Sequence, residues 1–327
     1  MTDEWDRRRF LKRLGIVGGS AVCAAGVGFI ARDRGEGEPD TPKVSNRAWD
    51  FRSDTASAAP TLTVAVGQGD PVAATRAGIK GLGGMERFIH PGESVVIKPN
   101  IGWDRTPIQA ANTNPIVVAT LVKLCLQAGA SRVSVTDNSC NDARRCFTRS
   151  GIWKSIEEAG GEIILPDAHR FMEIELGGVI GKIPVLMPAL QADRFINAPI
   201  AKQHSLSGFT GGMKNLYGVL GGRRNRLHQK INESIAELAR LIRPTLTVMD
   251  ATRVLFRNGP QGGNIEDVRE VGEVIVSEDP VAVDAYACTL IGASPADLSY
   301  LRIAAKQGIG TDDPAEIDRA LQRILPE

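Results

Sequence analysis

The chain has 327 residues, of which 43% are apolar and 24% charged, with a formal net charge of +1. That composition supplies a sizeable core for one large or two ordinary domains and excludes general disorder. The near-neutral balance argues against a nucleic-acid binder, which carries a basic excess across a face, and 5% aromatics leave little for stacking single strands.

The N-terminus reads Asp6-Arg7-Arg8-Arg9-Phe10-Leu11-Lys12, followed by a Gly/Ala-rich apolar run from Leu14 to Ala31. The pattern resembles a twin-arginine export signal, so the expected partners include the twin-arginine export machinery. As a helix, the 18-residue run would barely span a bilayer core at ~1.5 Å per residue. Arg32-Asp33-Arg34 follows directly, without a small-x-small cleavage site. Residues 1–31 therefore read as a signal that could also serve as an N-terminal membrane anchor. Residues 32–60 are polar, rich in Pro, Ala and Ser, and aperiodic, which predicts a linker. Residues 61–327 read as a single α/β domain.

From Thr61 the pattern is regular. It predicts strands at 61–66, 94–98, 132–137, 162–166, 194–199, 245–250 and 271–279, and a hairpin over 172–187. Helices are predicted at 71–89, 115–128, 142–149, 151–159, 208–218, 230–241, 281–291, 296–307 and 314–324. Short Val/Ile-rich strands alternating with helices specify an α/β fold. The expected form is a mostly parallel, Rossmann-like sheet with helices on both faces.

What ends these strands points to a site. Lys98-Pro99-Asn100, Asp137, Lys202 with His204, and Asp250 each follow a run of strand residues. Ligands of open α/β sheets bind beyond the carboxyl ends of the strands. Asp279 stands before Pro280 and a helix, where a capping role fits better. The segment Asn197–Lys230 is the most unusual stretch. It holds Lys202, Lys214, Arg223, Arg224, Arg226 and Lys230, His204 and His228, and six glycines, but no Asp or Glu. Cations segregated among glycines suit a pocket for an anionic small molecule or cofactor. In this reading Lys98, Asn100, Lys202, Gly212, Lys214, Asn215 and Arg223 bind the ligand. Glycine lets backbone amides approach it, and arginine suits carboxylate or phosphate. His204 and His228 are the acid/base candidates, with Asp137 and Asp250 to orient them or to hold a metal. The N-terminus of the 115–128 helix is a further place for an anion. The Asn258–Gly263 loop, NGPQGG, reads equally as a cover over the site or a surface turn.

Other chemistries lack their patterns. No Walker or GxGxxG loop, HExxH helix or GxSxG elbow is present, and metal binding is unsupported by ligand spacing. Cys140 and Cys146, six apart, could be bridged or reduced; Cys125 and Cys288 read as buried helix residues.

Several motifs occur together in order: VVIKPN (95–100), TNP (113–115), AGA (128–130) leading to VTD (135–137), and AKQHSLSGFTGGMKNLYG (201–218). LH (227–228), IRPTLTVMDA (242–251), NGPQGG (258–263) and EDPVAVDAYA (278–287) complete the set. The set resembles domain-of-unknown-function family 362 over about residues 62–312. The resemblance implies an α/β sheet protein and assigns no roles to the shared residues. Many relatives carry a cysteine-rich ferredoxin-like segment, but this chain has no CxxCxxC run, so iron–sulfur electron transfer is not expected. The leading expectation is an exported enzyme or enzyme-like protein with a cationic pocket, its reaction class left open by the sequence. A non-catalytic envelope ligand-binding or redox-accessory protein is the alternative, and a metal-centred redox protein a third.

Overall fold

The computed structural model describes residues 49–52 and 63–325, all within one compact unit. The twin-arginine segment and most of the 32–60 stretch lie outside the described residues. In chain order the first elements are β1 (Trp49–Asp50), β2 (Val64–Gln68), α1 (Pro71–Gly81), β3 (Ser94–Pro99), α2 (Pro115–Gln127) and β4 (Arg132–Val135). Next come α3 (Ala143–Arg149), α4 (Ile152–Ala159), β5 (Glu162–Ile163), the pair β6 (Phe171–Glu175) and β7 (Lys182–Leu186), and the short α5 (Met187–Leu190). The central stretch supplies β8 (Arg194–Ala198), β9 (Ile200–His204), β10 (Gly208–Thr210) and α6 (Gly212–Asn215). The chain closes with α7 (Ile231–Leu241), β11 (Ile242–Arg243), β12 (Leu246–Leu255), β13 (Val268–Ser277), α8 (Pro280–Thr289), α9 (Ser299–Lys306), α10 (Pro314–Ala320) and β14 (Leu321–Ile324). Local chemistry fixes the helix starts. Asp70, Asn114, Asp279 and Asp313 each precede a proline and accept backbone N–H groups of the first turn.

The main sheet runs β14-β2-β13-β12-β8-β3-β4-β5. Only β13 along that path is antiparallel to its neighbours; the remaining adjacent pairs are parallel. Alternation along the strands divides the core into two layers. Val95 and Ile97 pack with α1, α2 and α4, whereas Val96 and Phe195 pack on the other face with α7, α8 and α9. Helices on both faces and near-continuous apolar strands give the expected mostly parallel α/β architecture. The β6–β7 hairpin also forms as predicted.

Three expectations are corrected. Residues 208–218 are not a helix. Phe209, fully buried, belongs to β10, which pairs antiparallel with β9, and only the four residues of α6 are α-helical there. Three glycines among five residues remove the helix preference, and burial of Phe209 decides for a hairpin. The last predicted helix stops at Ala320, and 321–324 form a parallel edge strand on β2. Trp49–Asp50, inside the expected linker, pair with β11, and Phe51 stacks on Phe195 in the core.

Candidate functional site

The carboxyl ends of β3, β4 and β8 meet one polar cluster. Pairing of Lys98 with Asn197 across β3 and β8 sets two polar side chains side by side. Lys98 is buried and its ammonium lies 2.7 Å from Asp137 Oδ1 at the end of β4. It also donates to the Pro99 carbonyl at 2.8 Å and to Asn215 Oδ1 at 2.9 Å. The other Asp137 oxygen accepts the Ile101 N–H. Asn215 ties the cluster to α6: its amide donates to Lys98 O and Asn197 Oδ1, and its oxygen also accepts from Asn100. Lys202 is equally buried, reached from β9, and donates to Asn100 Oδ1 and to the Ala111 carbonyl. Among the described residues no carboxylate contacts it. Burial pushes Lys202 down to about 7, and the field of nearby Lys214 adds to that. Desolvation also lowers Lys98, while Asp137 acts in the opposite direction.

The two histidines occupy complementary states. His204 Nδ1 accepts the backbone N–H groups of Leu206 and Ser207 in the β9–β10 turn. An acceptor at Nδ1 leaves the ring proton on Nε2. Burial pushes His204 down to about 3, helped by Lys214 and Lys202, so the ring is neutral near pH 7. His228 Nδ1 instead faces the Asn225 carbonyl, which can only accept, so Nδ1 carries the proton and Nε2 the lone pair. Desolvation lowers His228 as well. The rings stack 6.3 Å apart with 12° between planes. One ring thus offers a donor and its neighbour a base.

Lys214 stands over the Tyr217 ring, 5.0 Å from its centre, and that ring is 5.9 Å from His228. Its ammonium has no hydrogen-bond or ion-pair partner among the described residues. Desolvation pushes it down to about 8, and Arg224 and Lys98 act in the same sense.

His228, Asn138, Ser139, Cys140 and Arg224 line an open pocket of 670 Å³, with Phe171 and Pro184 of the hairpin on the other side. Arg224 is held by the carbonyls of Tyr217, Leu220 and Ser139 and points a further N–H at Cys140 Sγ, 3.6 Å away. The glycines of this turn have a steric reason. A Cβ on Gly218 would sit 1.9 Å from Asp137 Oδ1 and 2.5 Å from Lys98 Nζ, so the backbone passes directly over the ion pair.

The structure departs from the sequence expectations at several positions: Asp137 pairs with Lys98 and is hydrogen-bonded to neither histidine, and Asn100, Lys202 and Asn215, assigned to the ligand, are bonded within the protein. Asp250 binds none of these groups: its buried carboxylate accepts Asn114 N–H, Thr252 N–H and Thr252 hydroxyl. A register shift in β12 between Ala251 and Arg253 frees the Thr252 amide that Asp250 then satisfies. The anion at the N-terminus of α2 is therefore the protein's own. Gly212 does not offer its amide to a ligand, because its N–H and that of Met213 are bound by the buried carboxylate of Asp284 on α8. Arg223 is exposed, and Arg224 occupies the pocket wall instead. Lys98, assigned to the ligand, is fully partnered inside the protein. Asn197, Asp284 and Tyr217 are further members of the network that sequence reading passed over. An isolated acid within the apolar run PVAVDAYACT was the available signal for Asp284.

The NGPQGG loop returns to β9, where the Gly259 amide donates to Gln203 Oε1 beside His204. Cys140 and Cys146 are both free thiols, the first exposed and the second buried; Cys125 and Cys288 are buried, as expected. Among the described residues no group of three or more His, Cys, Asp or Glu is placed to hold a metal ion. No helix among them is long and apolar enough to cross a membrane.

With this geometry in place, comparison with known proteins defines the class. The family model described as "Domain of unknown function (DUF362)" matches residues 95–289. The chain belongs to that family, and the match takes in the whole polar cluster and the pocket turn. A thylakoid-associated protein of Synechocystis sp. is 28% identical over 262 residues, which span 76% of this chain and 77% of that protein. Among solved structures, the lactate racemase apoprotein from Thermoanaerobacterium thermosaccharolyticum overlaps with a TM-score of 0.41 at 11% identity. That overlap covers 72% of this chain and 57% of the racemase chain.

Proposed function

We propose that this protein is an exported enzyme that holds a small anionic molecule in the Arg224–His228 pocket and moves a proton on it. The observation that carries the reading is the pair of opposed tautomers, His204 with Nε2–H and His228 with its lone pair on Nε2, beside the cation of Lys214, which has no hydrogen-bond or ion-pair partner among the described residues. Arg224 in the pocket wall and the field of Lys214 beside it attract the anion, His228 accepts a proton, and the neutral His204 ring, stacked on His228 outside the lining, offers its Nε2–H as a hydrogen-bond donor. Lys98, Asp137, Asn100, Lys202, Asn197 and Asn215 form the rigid support beneath them.

Calorimetric titration with phosphate and with small carboxylates tests the anion pocket. Binding is expected to weaken by at least about tenfold in Arg224→Ala and Lys214→Ala, the loss of one charge-assisted contact each. Unchanged binding in both variants would remove the pocket from consideration. A pocket that recognises without reacting is the second reading, favoured by the absence of any carboxylate hydrogen-bonded to either histidine ring among the described residues. It predicts unaltered ligand handling in His204→Gln and His228→Gln.

The leader and the thylakoid-associated relative together support a membrane-proximal compartment reached by twin-arginine export. Arg7→Lys with Arg8→Lys is expected to leave the full-length protein in the cytoplasm on cell fractionation. Normal export of that variant would overturn the route.

A further inference from the structure

Three lysines lie in this site, and the fold treats each differently. Lys98 is neutralised by Asp137. Lys202 is wholly buried and spends its hydrogens on an amide oxygen and a carbonyl. Lys214 is partly exposed as a residue, and among the described residues its ammonium meets only the face of Tyr217. That ring is fixed in turn by a hydrogen bond between its hydroxyl and Ser234. A cation so placed is relieved either by an anion or by loss of its proton. Burial favours the loss, the field of Cys140 opposes it, and the fields of Arg224 and Lys98 add to it. A neutral lysine with no competing hydrogen bond is a nucleophile. The aromatic face keeps water off one side of it, and His228 adjoins the same ring with its Nε2 lone pair available.

We infer that Lys214 is a nucleophilic amine that condenses with a small aldehyde or ketone bearing a carboxylate or phosphate. The inference rests on the anion pocket above and names the class of molecule it takes. Arg224 holds the anionic group. The Lys214 lone pair attacks the carbonyl carbon, and the C=O electron pair moves to oxygen, which takes a proton from water. His228 removes a proton from the attacking nitrogen. Protonation and departure of that oxygen as water leave a C=N bond to Lys214. One amine and one carbonyl give one imine and one water, with no oxidant or reductant. A lysine imine stabilises negative charge on the adjacent carbon, which is where a neighbouring base such as His228 becomes useful.

Borohydride trapping tests this directly on the intact protein. Glyoxylate and glycolaldehyde phosphate, the carboxylate and phosphate arms, are each added with cyanoborohydride at pH 7.5, with acetaldehyde as the uncharged control. Peptide mapping then compares Lys214 with Lys154, whose side chain is 82% exposed. At least one anionic aldehyde is expected to label Lys214 about tenfold faster than Lys154, because the larger neutral fraction outweighs the lower basicity. Acetaldehyde is expected to discriminate less, and excess phosphate to protect Lys214. Labelling of Lys214 no faster than Lys154 by either anionic aldehyde overturns the inference, and this outcome needs no variant. Lys214→Arg separates the two proposals: it should lose the adduct while phosphate still binds by calorimetry. If the unmodified protein binds no anion at all, the pocket assignment fails; if it binds anions but forms no adduct, only the imine chemistry fails.

Discussion

Strands β3 and β8 run side by side, and their two ends treat charge in opposite ways. At the amino ends, Glu93 accepts three hydrogen bonds from Arg194 and one from the His90 amide. Asp193 binds both the amide and the hydroxyl of Ser94. Burial alone would raise Glu93, but Arg194 and the His90 N–H together hold it at about 2. Each carboxylate there is met by a guanidinium or by backbone and hydroxyl donors. At the carboxyl ends Lys98 alone has a carboxylate, while Lys202, Lys214, His204 and His228 lie where burial lowers their affinity for protons. A closed ion cluster stabilises a fold; an open one is costly and persists where a ligand completes it.

The sharpest way to break this contrast is to unpair the one closed charge at the open end. Asp137→Ala leaves Lys98 buried without its counter-charge and is expected to cost about 3–5 kcal/mol in urea unfolding. A loss below about 1 kcal/mol would mean that Lys98 already sits neutral. Asp250→Ala strands three donors away from the pocket and should cost about 2–4 kcal/mol. Phosphate binding by the folded fraction of that variant should be unaltered; weakened binding would return Asp250 to the site.

The two ends also differ in acid. His204 has a folded value near 3 against 6.5 unfolded, so between those limits the unfolded chain binds the extra proton. Stability should therefore rise with pH from about 3 to 6.5, with a slope of up to about 1.4 kcal/mol per pH unit from this ring. In His204→Gln that slope should shrink across the same window. Glu93 has a folded value near 2 against 4.5 unfolded, so its contribution is full above 4.5 and disappears as pH falls towards 2. Glu93→Gln should cost about 1–2 kcal/mol at pH 7, the value of a part-exposed charge-assisted cluster, and nothing in anion binding. The smallest stability effect belongs to Lys214→Met, within about 1 kcal/mol of the parent, because only the contact with the Tyr217 ring is lost and no hydrogen bond or ion pair among the described residues. If that change is strongly destabilising, Lys214 has a structural role and the open end is less open than described.

The sheet was legible because its strands are Val/Ile-rich runs whose two faces are both buried, and because Asp or Asn before proline marks the helix starts. The polar cluster was partly legible for the same reason, since polar residues ending apolar strands must lie at one edge. Lys98, Asn100, Asp137, Lys202 and Asn215 do meet there. Sequence could not distinguish Arg223 from Arg224, because a turn of irregular backbone decides which of two neighbours faces inward. Nor could it separate Asp137 from Asp250. Both follow an apolar run in the sequence, and the backbone N–H groups they bind come from 36 and 136 residues away in the chain.

By itself, then, the order of residues determined the α/β layering, the edge of the sheet where polar groups gather, and the acid-free, glycine-rich character of 197–230. Those properties depend on local periodicity and composition, which a chain carries wherever it folds. Tertiary structure decided which carboxylate stands beside a lysine, which caps a helix, and which lysine has no partner. It also fixed the opposite tautomers of His204 and His228, through the Leu206 and Ser207 amides on one side and the Asn225 carbonyl on the other. Proton positions and charge pairing depend on contacts shorter than about 3.5 Å, and only the folded chain sets those distances.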